Sequence, residues 1–111
     1  MKLTVFLLLM AAPDWLRLDR AERNRISGEA LAKAFPDGSV SLRFYDAEAF
    51  NARASDVAVI ESSSMDDYYF AIERLRDTPL IAEGYFRVVE IIPAIEDGFR
   101  AFEAAQVPEP A

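Results

Sequence analysis

With 111 residues, 52% of them hydrophobic and 28% charged, the chain has the size and composition of one globular domain rather than of a disordered segment. Twelve basic against 19 acidic residues give a formal charge of −7, which sets it against phosphate backbones and anionic lipid, so neither nucleic acid nor a membrane is expected as a partner. The chain has no Cys and no His, which removes disulfides, thiolate nucleophiles, zinc–thiolate centres, a Ser-His-Asp triad and haem held by a proximal His or Cys.

Lys2, the apolar run from Leu3 to Met10 and the following Ala11-Ala12-Pro13 loosely mimic a secretion signal. A run of about eight apolar residues is short for that role and far too short to span a bilayer. It is apolar at both parities, so it reads as a first strand covered on both faces, broken by Pro13 and Asp14. Asp19, with Glu22 three residues on, opens a first helix in the manner of a capping box. Ile26, Ala30 and Ala34, with Leu31 and Phe35 beside them, form its apolar stripe, and Pro36-Asp37-Gly38 stops it.

Val40 to Asp46 alternates as a strand, with Val40, Leu42 and Phe44 on one side and Ser41, Arg43 and Tyr45 on the other. A long connection, with room for a helical turn, leads to a third strand from Asp56 to Ser63. Ser64 caps a second helix whose apolar stripe is Met65, Tyr68, Tyr69, Ile72 and Leu75. Thr78-Pro79 starts a further short turn that Gly84 ends. Tyr85 to Ile92 is the last strand, closed by Pro93, and Ile95, Phe99 and Phe102 mark a C-terminal helix from about Glu96.

The order β-α-β-β-α-β plus a terminal helix is the ferredoxin-like α+β pattern, in one domain over residues 1–106 with a loose tail over 107–111. Both helices then lie on one sheet face. The two-sided apolar first strand requires the other face to be covered as well, which a homodimer joined through its sheets would do.

Arg43, Tyr45 and Glu61 are the most informative polar set. They share one sheet face in the expected register, where an Arg can fork two bonds to a carboxylate, a Tyr can donate to a carbonyl, and a half-buried Glu can act as general base. A structural Arg–Glu pair is the competing reading of the same residues. Tyr68, Tyr69 and Trp15 are candidate ligand-binding residues, as pocket walls or equally as core. Asp46, Glu48 and Asp56 flank the long connection, but without the spacing of a calcium loop, and no metal is expected.

The stretches TVFLLLM, Trp15-Leu16, RFYDAEAF (Arg43 to Phe50), SDVAVIE (Ser55 to Glu61), YYFAIERLRDTP (Tyr68 to Pro79) and YFRVVEIIPAIEDGFRAFE (Tyr85 to Glu103) resemble the darcynin family. The resemblance covers nearly the whole chain and implies the protomer of a dimeric α+β barrel. That family has no activity to lend. The wider barrel group includes cofactor-free monooxygenases, lactone isomerases, polyketide cyclases and haem enzymes, and the lack of His sets this chain apart from the last. The expectation is a cytoplasmic homodimer that binds a small molecule without a cofactor. It would act on a carbonyl-bearing or aromatic metabolite as an isomerase, cyclase or monooxygenase, with Glu61 and Tyr45 catalytic and Arg43 as anion clamp. A non-catalytic dimeric interaction module is the alternative.

Overall fold

The computed structural model describes residues 1–106; the tail expected over 107–111 lies outside them. In chain order the elements are β1 (Leu3–Ala11), α1 (Pro13–Arg17), α2 (Arg20–Ala34), β2 (Val40–Asp46), β3 (Asp56–Ser62), α3 (Met65–Arg76), α4 (Pro79–Ala82), β4 (Phe86–Ala94) and α5 (Gly98–Ala105). The strands form one antiparallel sheet in the order β2-β3-β1-β4, the ferredoxin-like arrangement.

β1 is an interior strand, paired with β3 on one side and β4 on the other. Its odd-numbered residues Val5, Leu7 and Leu9 are buried beneath the helices with Val40, Ala58 and Ile60. Its even-numbered residues Thr4, Phe6, Leu8 and Met10 point to the opposite face, which α2 and α3 leave open. The apolar character at both parities is thus accounted for on only one face by the chain's own helices. β4 carries an extra residue opposite Leu8 and Leu9, a bulge that changes its side-chain parity partway along.

α2 and α3 lie over the sheet and bury Ile26, Ala30, Ala34 and Leu75 together with Trp15 and Leu80. Asp19 accepts a hydrogen bond from the Glu22 N–H at 2.8 Å, and Ser64 accepts one from the Asp67 N–H at 3.2 Å, so both expected caps are present. Gly38 and Gly84 have φ of +74° and +71°, the left-handed turns that end α2's exit and the α4 turn.

Four local expectations need correction. Pro13 does more than break the strand: it stands at the first position of α1, where its missing N–H costs nothing. Pro93 lies within β4, opposite Val5, which is tolerated because β4 is an edge strand. The C-terminal helix begins at Gly98, after Asp97 takes a left-handed φ of 48°. In α3 the inward stripe is Ala71 and Leu75, buried, with Tyr68 and Ile72 partly buried beside them, while Met65 and Tyr69 are exposed. Among the described residues no helix is long and apolar enough to cross a membrane.

Candidate functional site

The β2–β3 register sets Arg43 opposite Val59, Tyr45 opposite Val57 and Ser41 opposite Glu61. Period-two alternation then puts Arg43, Tyr45, Val57, Val59 and Glu61 on the open face, where β1 adds Thr4 and Phe6. These side chains line a depression of about 520 Å³, with Ile95 and Glu96 of the segment after β4 along one wall. Arg43 Nη2 donates to Glu61 Oε1 at 3.1 Å, and Lys2 Nζ stands 3.2 Å from Glu61 Oε2. The Arg43 side chain is 63% exposed and that of Glu61 25%. Two cations therefore share one carboxylate beside an apolar floor. The guanidinium has N–H groups to spare for a second anion, the Tyr45 phenol can donate to a carbonyl, and Glu61 can take a proton.

Trp15, Tyr68 and Tyr69 are not part of this group. Trp15 is buried on the helix side, its ring 5.3 Å from Tyr85 and 5.1 Å from Phe86 between centroids. Tyr68 borders a groove of about 390 Å³ between α3 and β4, together with Leu7, Ile72 and Ile91. Burial pushes its phenol pKa up. Tyr69 points outward and meets Phe70 edge-on at 6.3 Å.

A smaller cavity of about 240 Å³ was not foreseen. It lies between sheet and helices, walled by Leu9, Trp15, Leu31, Phe44, Leu80 and Phe86, with Asp46 and Asp56 at its polar end. Parity carried the signal: Asp46 follows Val40, Leu42 and Phe44, and Asp56 precedes Ala58 and Ile60, so both carboxylates continue inward-facing rows. Burial raises the Asp56 pKa above its ordinary value; the Ser55 hydroxyl, donating at 2.7 Å, works against this, and the charges of Asp46 and Glu48 add to it. Asp46, Glu48 and Asp56 bring carboxylate oxygens within 4.8 Å of one another, which makes them the one group among the described residues with the donor chemistry for a hard cation.

Comparison with known proteins agrees with this architecture. Residues 1–108 match the family model described as Darcynin, domain of unknown function. Darcynin 1 of Acinetobacter baumannii is 46% identical over 90 residues, which cover 80% of this chain and all of that protein. Darcynin of Chromobacterium violaceum is 55% identical over 65 residues, 59% of this chain and 82% of that one. Among solved structures, a heme-binding protein from Thermus thermophilus superposes with a TM-score of 0.72 at 15% identity, covering 92% of this chain and 44% of that one. Chlorite dismutase from Candidatus Nitrospira defluvii, in complex with imidazole, gives 0.69 at 14% identity over 83% of this chain and 38% of that one. The chain thus spans less than half the length of either, and at such identity the likeness is one of fold. By sequence, the chain belongs to the darcynin family.

Proposed function

We propose that the chain forms a homodimer that binds a small carbonyl-bearing or aromatic molecule at Arg43, Tyr45 and Glu61 and catalyses proton transfer without a cofactor. The observation that carries this reading is the convergence of the three side chains on one depression whose apolar part is formed by Phe6, Val57 and Val59. Arg43 holds a ligand carboxylate in a bidentate fork, partly exchanging Glu61 for it. Tyr45 donates to the carbonyl oxygen as negative charge develops there. Glu61, freed from one of its two cations, takes the proton from the adjacent carbon and returns it to another, so an isomerisation is balanced. The reading takes the protein to act in the cytoplasm.

The heme-binding neighbour from Thermus thermophilus raises the question of haem. The residues of this chain do not fit it: there is no His and no Cys to serve as axial ligand. Tyr68 borders the groove between α3 and β4, and burial disfavours the phenolate that ligation by a tyrosine needs.

A thermal-shift screen of aromatic and keto acids tests the proposal. A hit is expected to raise Tm in the wild type, to lose about tenfold in affinity in Arg43→Lys, and to bind Glu61→Gln undiminished. Solvent deuterium should enter the bound molecule with the wild type and not with Glu61→Gln. Ligand binding that ignores both substitutions would place the site elsewhere. Binding without deuterium exchange in the wild type would favour the second reading, a non-catalytic binding module, for which the existing pairing of Glu61 with Arg43 and Lys2 speaks.

A further inference from the structure

Among the described residues, α5 is a helix with its apolar face exposed. Its Phe99 and Phe102 are 58% and 65% exposed and, three residues apart, share one face of the helix. Among the described residues no strand or other helix packs closely along it. The chain's radius of gyration is 17.1 Å and its longest extent 66 Å, where a compact chain of this length has a radius near 13 Å. Its accessible surface is 7662 Å², against roughly 6,100 Å² for a compact protein of 12.4 kDa. The same chain has a second unpartnered apolar surface, the open sheet face with Phe6, Tyr45 and Ile92 exposed. Ile95 and Glu96 border the depression on that face, so the chain leaves β4 on its open side.

We propose that α5 is an exchanged arm: in a homodimer, the Phe99–Phe102 face of each copy lies on the open sheet face of the other and roofs its Arg43–Tyr45–Glu61 depression. The occupant is a second copy because one chain carries both surfaces, so a two-fold axis satisfies two arms and two sheets at once. The surplus surface is enough to supply the roughly 800 Å² per copy that a standard stable interface takes. The site is then incomplete in a single chain, and its upper wall is aromatic. This rests on the homodimer of the preceding reading and adds to it where the arm goes.

The Cys-free chain allows a direct test. Phe102→Cys, labelled with a benzophenone maleimide, is co-refolded with ¹⁵N-labelled wild type, sedimented and irradiated. Cross-links are expected to ¹⁵N peptides containing Thr4–Met10, Ser41–Tyr45 or Val57–Glu61. A sample that sediments as a dimer but cross-links only within the unlabelled chain, for instance to the groove between α3 and β4, or not at all, overturns the arm and leaves the dimer standing. A sample that sediments as a monomer overturns both.

Discussion

Among individual residues, Asp56 has the clearest dependence on solution conditions. Its folded pKa lies above the ordinary 3.8, chiefly through burial. The native state therefore holds the proton more tightly than the unfolded chain does. The stability this confers is fully present below the unfolded pKa and is lost as pH rises through the folded value, so at pH 7 the ionised carboxylate is a net cost. Asp56→Asn keeps an oxygen for the Ser55 hydroxyl and removes the charge. It is expected to raise stability at pH 7, by less than about 1 kcal/mol because solvent reaches the group. Thermal melts at pH 7 and pH 3 check this, the gain disappearing at the lower pH. Glu61→Gln should cost little in folding, since the amide keeps the shape and both cations it pairs with are largely exposed, where such a pair contributes no more than about 1 kcal/mol. Loss of deuterium exchange in that variant can then be assigned to chemistry.

At the scale of the element, α3 illustrates how a helix can be legible while its orientation is not. Ser64 and the acidic first turn of Asp66 and Asp67 locate its start. Ser64→Ala, which orphans the Asp67 N–H, is expected to cost about 1 kcal/mol in urea unfolding with an unchanged m-value. Helical spacing alone admits both Tyr68 and Tyr69 to the apolar stripe. The small residue Ala71, fully buried, settles the choice by allowing α3 to approach the sheet, and Tyr69 is turned out to solvent as a result. Pro93 is a similar case. Proline ends an interior strand but survives at an edge, and which strand forms the edge is a property of the sheet order.

For the molecule as a whole, the open sheet face and the free α5 decide the expected behaviour. A homodimer joined through them should bury well over about 1,000 Å². Sedimentation at micromolar concentration should then show the dimer, and Tm should rise with protein concentration, as it does whenever association stabilises the native state. A Tm independent of concentration, together with monomeric sedimentation, would leave Phe6, Ile92, Phe99 and Phe102 in water and refute the association.

The amino-acid sequence by itself determined the elements, the caps and the ferredoxin-like order, because hydrophobic period, capping residues and proline act over only a few positions. It also put Arg43 and Tyr45 on one strand face through the repeat of two, whereas Glu61 joins them through the β2–β3 register, which the sheet itself sets. Tertiary structure alone decided that Trp15 and Tyr68 lie on the helix side, away from that set, and that Asp46, Glu48 and Asp56 meet. It likewise decided that the aromatic face of α5 stands exposed among the described residues. These are relations between segments distant along the chain. They follow from how layers close over a core, and that closure depends on the volumes and positions of all the packed side chains together rather than on any local pattern.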